Sequence, residues 1–203
     1  LLTAVTGAHA AGLADVTVPP LRIVAAQRMV RRKRPDALID LLLRARELVP
    51  SGIALQAEVV GDGPAREGLV RRLEVDGVDW ISLPGRVTRK QLRDLHWRSH
   101  VFVSAARLEA FGIAALEART AGLALVVREG TGARDFVSMG LSGLLADTDD
   151  GLAEAVARLA TRPTLLAKLQ QHNRRVPPAE DWPIVVKSTV AEYRRAQQQA
   201  TVR

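Results

Sequence analysis

The sequence predicts an α/β fold built on a doubly wound, parallel sheet of about six strands with helices on both faces. Short apolar runs of five or six residues alternate with longer segments in which apolar residues recur at helical spacing. The connections between these segments are short. The first run, LRIVAA, is typical of a strand that is buried on both faces, as strands of parallel sheets are.

The predicted elements follow in a regular order. Six apolar runs are expected to form strands, at 21–26, 55–60, 78–83, 100–105, 123–127 and 142–146. Seven helices are expected: one over 37–49, one through Leu69 and Leu73 that ends at Gly77, one that begins after Thr88, one that contains 108–118 and ends at Gly122, and three near 151–160, 163–174 and 183–199. Thr88 with Gln91 three residues later forms a capping-box signature.

Length and composition favour one domain. The chain has 203 residues, of which 47% are hydrophobic, and it contains no cysteine. Residues 1–20 are irregular and end in two prolines, so we expect a linker or truncated edge there, a domain over 21–199 and a tail at 200–203. The sequence has no bilayer-length apolar run and no signal-peptide pattern, which together with the lack of cysteine predicts a cytoplasmic protein.

Basic charge indicates anionic partners. The formal net charge is +7, which suits nucleotides, nucleic acid or an anionic membrane surface without choosing among them. Aromatic residues make up only 3% of the chain, which makes a nucleic-acid stacking surface improbable. The four histidines are scattered without ligand spacing, so no metal site is expected.

Ligands of doubly wound sheets bind outside the carboxyl ends of the strands, where the strand order reverses. The segments that follow the predicted strands are 27–33, 61–64, 85–87, 105–112 and 128–133. In the first of them, Arg28 and Lys33 are placed to bind a diphosphate, or they belong to a solvated basic loop, and RRKR also fits a weak nucleic-acid pattern. Gly61 and Gly63 form a turn without the G-x-G-x-x-G pattern, which argues against a nicotinamide dehydrogenase.

The segment LEAFGIAALEA, at 108–118, carries the most informative pattern. If its helix starts near Phe111, Gly112 lies in the first turn, where free N–H groups attract anions and glycine allows a phosphate to approach. Glu109 and Glu117 are separated by seven residues, so they would meet different parts of one ligand, such as vicinal hydroxyls of a sugar or ribose. The alternative is that both are exposed helix glutamates.

The order of these motifs resembles the C-terminal domain of retaining GT-B glycosyltransferases of the group 1 type. Arg28-x4-Lys33 is followed by GDGP, LPGRVTRKQLRDLH, E-A-F-G-I-A-A-L-E-A, GLALVV and SGLLADTDDGLAEAVARL. The later DWPIVVKSTVAEYRRA is similar to the closing helix of that family. The resemblance covers residues 21 to about 196, and the E-x7-E element is its most specific part.

This resemblance implies a site for a nucleotide-diphosphate sugar, with no metal and no cofactor. The catalytic residues would be Arg28 and Lys33, which neutralise the diphosphate, and Glu109, which binds the donor sugar near its anomeric centre. Glu117 would bind the ribose hydroxyls. The other donor-binding residues would be Phe111, Gly112, Ile113, Gly61, Gly63, Arg86 and Val87, of which Gly112 and Ile113 offer backbone donors and the 85–87 loop meets the base. Catalysis would consist of charge stabilisation and positioning.

Some positions depart from the family pattern, and one whole domain is not accounted for. Gln27, Ala110 and Ala124 stand where the family usually has glycine, glycine and proline. The resemblance also implies an N-terminal acceptor domain, which residues 1–20 cannot supply, so we expect the chain to bind a UDP- or GDP-sugar without efficient turnover. The rival interpretation is a basic module on a degenerate GT-B domain that binds nucleic acid or an anionic membrane. A peripheral position at the inner face of a membrane is compatible with both.

Overall fold

The computed structural model describes residues 19–178, 186–187, 190–195 and 197. Strands and helices alternate over most of this range, with β5 and β6 joined through a short 3-10 turn at Gly132–Asp135. The strands are β1 Leu21–Ala26, β2 Leu55–Val60, β3 Ile81–Gly85, β4 Val101–Val103, β5 Ala124–Arg128 and β6 Gly143–Ala146. The helices are α1 Pro35–Leu48, α2 Arg66–Val75, α3 Arg89–Arg98, α4 Ile113–Thr120, α5 Asp149–Thr161 and α6 Pro163–Arg175.

All strand pairs are parallel, and the order across the sheet is β3-β2-β1-β4-β5-β6. The chain winds outward from β1 to β3, then returns to the centre and winds outward again from β4 to β6. This arrangement confirms the predicted doubly wound parallel sheet of six strands. The strand order reverses between β1 and β4, so the crevice for a ligand is expected above their carboxyl ends.

Helices cover both faces of the sheet, as predicted. One core contains residues of α1, α2, α5 and α6, and the other contains residues of α3 and α4. Successive side chains of β5 enter opposite cores: Val126 belongs to the first, and Leu125 and Val127 belong to the second. Burial on both faces explains why β4 (VFV) and the first four residues of β5 (ALVV) are continuous apolar runs.

Four strands differ from their predicted bounds, β5 and β6 by a single residue and β3 and β4 by more. The strand predicted at 78–83 begins at Ile81, because Gly77 adopts φ 64° and the Val78 N–H bonds the Leu73 carbonyl to close α2. It continues through Pro84, which is tolerated because β3 lies at the edge of the sheet. The strand predicted at 100–105 is shorter, spanning Val101–Val103.

The helix predictions are largely confirmed. Thr88 and Gln91 form the reciprocal capping box at the start of α3. α5 begins at Asp149 instead of 151, because the Thr148 hydroxyl accepts a bond from the Gly151 N–H. Residues 186–187, 190–195 and 197 are helical, and the remainder of the helix predicted at 183–199 lies outside the described residues, as do residues 1–18. No helix in the described ranges is long and apolar enough to cross a membrane.

Candidate functional site

A cavity of about 340 Å³ lies at the carboxyl ends of β1, β4 and β5. Its position is the one expected from the reversal of strand order. The lining combines polar side chains with small and apolar residues from five segments, namely Ala26, Gln27, Lys33, Phe102, Ser104, Ala106, residues 109–115, Val127, Arg128, Thr131 and Ala133.

The charged centre of the cavity is an ion pair between Lys33 and Glu109. The Lys33 Nζ lies 2.5 Å from the Glu109 Oε2, and the two side chains are 16% and 28% exposed. Lys33 ends the short 3-10 turn Arg31–Lys33 after β1, and Glu109 lies in the loop after β4. The ion pair therefore connects the segments that follow the two strands flanking the crevice. In this arrangement each group neutralises the other, and an anion would compete with Glu109 for Lys33.

The start of α4 forms another wall. Gly112 is the N-cap, with φ 86° and no side-chain cap, and Ile113, Ala114 and Ala115 face the cavity. The first-turn N–H groups of a helix lack intrahelical acceptors and carry positive partial charge, so this end favours an anion. The helix therefore begins one residue after Gly112: 108–112 is a loop, and the prediction that Gly112 lies inside the first turn was wrong. The left-handed φ favours glycine and keeps this residue out of the helix.

Backbone contacts hold the Glu109 loop in place. The Gly132 N–H bonds the Glu109 carbonyl at 2.8 Å. A Cβ placed on Gly132 would lie 1.9 Å from the Ala110 carbonyl oxygen, so only glycine fits. Phe111 packs against Phe136 with ring centroids 5.8 Å apart. Gly132 thus supports the site without a functional side chain, which spacing within the sequence does not reveal.

Gly61 and Gly63 lie behind the β1–α1 loop and do not line the cavity. A Cβ on Gly61 would be 1.7 Å from the Gln27 carbonyl oxygen, and one on Gly63 would be 2.5 Å from that of Met29. The Gln27 N–H bonds the Val60 carbonyl at 3.0 Å. These glycines let two loops pack backbone against backbone, and in this way they support the segment that carries Arg28 and Lys33.

Five of the predicted site residues meet at the cavity: Lys33, Glu109, Phe111, Gly112 and Ile113. The other six do not line it, namely Arg28, Glu117, Arg86, Val87 and the two glycines just described. Of these, Arg28, Arg86 and Glu117 are exposed. Glu117 lies on α4 about one turn beyond Ile113, so Glu109 and Glu117 do not share the cavity.

A second charged cluster, which we call the Asp149 cluster, consists of Arg34, Arg128 and Asp149. Arg34 donates to the two Asp149 carboxylate oxygens at 2.9 and 2.6 Å and to the Ala105 carbonyl at 3.0 Å. Arg128 donates to Asp149 and to the Asp147 carbonyl. Sequence analysis missed this cluster, because its members lie 115 and 21 residues apart in the chain.

The protonation of the cluster follows from its contacts. Hydrogen bonding from Arg34 holds the pKa of the Asp149 carboxyl below its usual value, and this effect prevails over burial. Burial lowers the pKa of Arg128, whose side chain is only 6% exposed, although Asp149 acts in the opposite direction. Because the folded pKa of Asp149 is lowered, its stabilising contribution is present above the ordinary carboxyl pKa and is lost as the pH falls through the lowered value.

Two buried hydrogen-bond donors belong to residues that line the cavity. Within the described residues, the Gln27 Nε2 and the Arg128 Nε are buried without a hydrogen-bond partner, and both residues line the cavity. Each is a donor, so the missing partner is an acceptor. The described part of the chain contains no group of three or more histidine or carboxylate side chains that could hold a metal ion.

Sequence comparison relates the chain to a known family. The family model for glycosyl transferases group 1 matches residues 18–176. D-inositol 3-phosphate glycosyltransferase from Kribbella flavida is 32% identical over 180 residues, which are 88% of this chain and 40% of that protein. The GDP-mannose-dependent alpha-(1-6)-phosphatidylinositol monomannoside mannosyltransferase from Mycobacterium tuberculosis is 33% identical over 147 residues, which are 68% of this chain and 37% of that protein.

Structure comparison shows the same fold. The crystal structure of Anabaena Alr3699/HepE in complex with UDP and glucose superposes with a TM-score of 0.69 at 20% identity, and the match covers 86% of this chain and 48% of that one. At this identity the likeness concerns the fold alone. The chain spans about two fifths of the length of the curated relatives it matches, 39% and 40% for two of them.

Proposed function

This chain belongs to the group 1 glycosyltransferases, and we propose that it is the donor-binding domain of a retaining enzyme that uses a nucleotide-diphosphate sugar, either UDP- or GDP-linked. One observation carries this proposal: the ion pair of Lys33 and Glu109 lies in the cavity beside the free N-terminus of α4. The site thus offers a cation and helix N–H groups for phosphate, and a carboxylate for sugar hydroxyls.

The diphosphate would lie between Lys33 and the start of α4. Lys33 exchanges Glu109 for a phosphate oxygen, and the N–H groups of Gly112 and Ile113 supply further donors. Arg28 is exposed on the same β1–α1 loop, so it would bind the outer side of the diphosphate. Two cations and a helix N-terminus suit a leaving group that carries two negative charges.

Glu109, once released from Lys33, would accept hydrogen bonds from the donor sugar, and the free Gln27 Nε2 would donate to a sugar oxygen. Glu117 lies on α4 beyond the cavity, which suits the ribose of a ligand that extends along the helix. Arg86 and Val87 follow β3 and would meet the base.

In the proposed reaction, the bond between the anomeric carbon and the diphosphate oxygen breaks, with its electron pair going to the diphosphate. The acceptor hydroxyl attacks the same face of the sugar and passes its proton to the departing diphosphate oxygen, so the configuration is retained. Lys33, Arg28 and the α4 N-terminus stabilise the charge on the leaving diphosphate, and Glu109 orients the sugar. We propose that neither a metal ion nor a cofactor takes part.

The acceptor site is proposed to lie in an N-terminal domain that faces this one across a cleft. The relatives above are named for transfer to inositol phosphate and to a phosphatidylinositol mannoside, which supports a role in glycolipid, glycan or cell-envelope synthesis. The chain alone is expected to bind donor with little or no turnover. Measurable sugar transfer by the purified chain would contradict this expectation.

Calorimetric titration of the chain with UDP, GDP and ADP at two salt concentrations tests donor binding. We expect a clear preference for UDP or GDP, and about 10- to 100-fold weaker binding after Glu117→Ala, because the ribose loses a charged hydrogen-bond acceptor. Glu74→Ala, on the exposed surface of α2, is the matched control and should change nothing. Equally weak, salt-dependent binding of all three nucleotides, unchanged by Glu117→Ala, would contradict the proposal. It would mean that the loop with Arg28 and Lys33 attracts anions only nonspecifically.

A peripheral position at the inner face of a membrane is a second part of the proposal, and α3 supports it. Arg89, Lys90, Arg93 and Trp97 fall on one exposed side of this helix, opposite the buried Leu95. Trp97 is 66% exposed, and the Arg93 guanidinium lies over its ring at 4.9 Å. An exposed tryptophan among cations fits an anionic lipid surface, where the ring enters the interface and the cations meet headgroups.

Vesicle sedimentation tests the α3 surface. The triple charge reversal Arg89→Glu, Lys90→Glu and Arg93→Glu should abolish binding to phosphatidylserine vesicles, because each basic residue contributes about 1 kcal/mol near such a surface. The reversal of Arg158, Arg162 and Lys168, exposed on α5, α6 and their junction, changes net charge equally and should leave most of the binding intact. Equal losses from both triple variants would assign the binding to net charge instead of to α3.

A further inference from the structure

We propose that Asp149 is a positioning residue for the donor site, which holds the Lys33 loop and the Glu109 loop at a fixed separation through Arg34 and Arg128. Asp149 does not line the cavity, and it would act only through these two arginines. The inference rests on the proposed function, because its consequence is tighter binding of a nucleotide-diphosphate sugar.

The backbone at Arg34 is the first sign of a constraint. Arg34 has φ 54° and ψ 52°, and it is the single non-glycine residue with positive φ in the described part of the chain. Such a conformation is unfavourable for a residue with a Cβ and persists where surrounding contacts enforce it. The backbone is held by bonds from the Arg34 N–H to the Arg31 carbonyl and from the Leu38 N–H to the Arg34 carbonyl, and the guanidinium adds bonds to Asp149 and to the Ala105 carbonyl.

The second sign is the set of segments that the cluster joins. Arg34 immediately follows Lys33, and Ala105 precedes Glu109 by four residues in the loop after β4. Arg128 ends β5 and lines the cavity, and Asp149 begins α5. Arg34 therefore joins the two segments that carry the Lys33–Glu109 pair, and Asp149 holds the Arg34 guanidinium in place, with Arg128 tying the carboxylate to β5.

Burial distinguishes this cluster from the exposed ion pairs of the protein. The side chains of Arg128, Arg34 and Asp149 are 6%, 21% and 34% exposed, whereas those of the Arg44–Glu47 pair are 51% and 65% exposed. A partly buried, bidentate pair holds its geometry better than an exposed one, which is screened and flexible. Removal of the Asp149 charge would also leave two partly buried guanidinium groups to repel each other.

Loss of the cluster would act on binding through geometry. Without Asp149, Arg34 keeps only its bond to the Ala105 carbonyl among these side-chain contacts, so the β1–α1 loop is held less firmly relative to the Glu109 loop. Lys33 and Glu109 are then less well positioned in the cavity. A ligand would have to order them on binding, which lowers its affinity. A displacement of binding groups by about 1 Å can reduce activity by up to roughly 100-fold, even when the mutation that causes it is remote.

The test compares Asp149→Asn with Asp150→Asn in the full chain. Both residues lie in the first turn of α5, so the control removes the same charge near the same helix dipole, and Asp150 is exposed. Hydrogen–deuterium exchange needs no ligand: Asp149→Asn should speed exchange about tenfold in peptides over 28–38 and 105–112, but not in α2 or α3. Asp150→Asn should leave both loops unchanged.

Binding of the preferred nucleotide-diphosphate sugar provides the second measurement. Asp149→Asn should weaken it by about 10- to 100-fold, and in a Lys33→Ala background the same change should cost less than about threefold, since there is then no ion pair to position. Arg34→Gly should also weaken binding while preserving thermal stability better than Arg34→Ala, because glycine accepts the left-handed backbone.

The outcomes separate this proposal from the proposed function. Exchange in the two loops that is no faster in Asp149→Asn than in Asp150→Asn would overturn the positioning role. Equal effects of Asp149→Asn with and without Lys33 would also overturn it, because they indicate general destabilisation. A wild-type chain that binds no nucleotide-diphosphate sugar refutes the proposed function and, with it, the binding role of Asp149, whatever the exchange data show about the loops.

Discussion

Lys33→Ala is expected to weaken the binding of both the bare nucleoside diphosphate and the nucleotide sugar, by about 10- to 100-fold. Glu109→Gln is expected to weaken only the nucleotide sugar, and to leave the bare diphosphate unchanged or bound more tightly. The two members of one ion pair should therefore give opposite results with the bare diphosphate.

The reason lies in the contact between the two side chains. The Lys33 Nζ is 2.5 Å from the Glu109 Oε2, so in the free protein the cation that phosphate needs is already engaged. Lysine removal takes away the phosphate contact and leaves a carboxylate near the anion. Glutamine at 109 frees the lysine and removes a repulsive charge, but it is a weaker acceptor for sugar hydroxyls.

Titration calorimetry with the preferred diphosphate and its sugar conjugate measures both effects. Lys168→Ala and Glu74→Gln are suitable controls, because both residues are exposed and lie on helices outside the cavity. If Glu109→Gln weakened the two ligands equally, Glu109 would be needed for the shape of the site, and its assignment to the sugar would be wrong.

Gly61→Ala is expected to destabilise the protein by about 3–5 kcal/mol, whereas Gly68→Ala should leave it unchanged or stabilise it by about 0.5 kcal/mol. A Cβ at Gly61 would lie 1.7 Å from the Gln27 carbonyl oxygen, and φ there is 130°. A Cβ at Gly68 would meet nothing within 4 Å, and this glycine lies in α2, where alanine is the better helix former. The same substitution, glycine to alanine, thus tests the close backbone contact at Gly61 and the helix propensity at Gly68.

Urea denaturation followed by circular dichroism gives the free energy of unfolding of each variant. Because the Gln27 N–H is tied to the Val60 carbonyl, Gly61→Ala should also displace the β1–α1 loop and reduce donor binding in whatever fraction remains folded. A Gly61→Ala variant as stable as Gly68→Ala would show that the loop moves aside at little cost. In that case the glycine would not be required for support.

The sequence predicted the fold well because its signals are local. The run LRIVAA, the spacing of Leu38, Leu41 and Leu42, and the capping box at Thr88 each depend on neighbours a few residues apart. Two of the boundaries that differ from the prediction lie beside a glycine. α4 starts at Ile113 because Gly112 is left-handed, and β3 starts late because Gly77 and Val78 close the preceding helix.

The candidate site was only partly predictable. Position after a strand and residue type made Lys33, Glu109 and Gly112 candidates, because the carboxyl ends of parallel strands meet at one edge, and the resemblance to the glycosyltransferases then selected them. The same reasoning grouped Arg28 and Arg86 with them, although both are exposed outside the cavity lining. Position after a strand predicts the edge of the sheet where a residue lies. It does not predict whether the side chain points into the cavity or toward solvent.

The sequence by itself determined the doubly wound sheet, the edge of the sheet where a ligand is expected, and the residue types that suit a phosphate and a sugar. Only the tertiary structure decided that Lys33 pairs with Glu109, that Gly61 and Gly132 support loops by close backbone contact, and that Asp149 joins Arg34 to Arg128. These contacts join residues 21 to 115 positions apart. Periodicity and local spacing do not predict contacts between residues so far apart in the chain, because these contacts form only when the strands pair in the sheet.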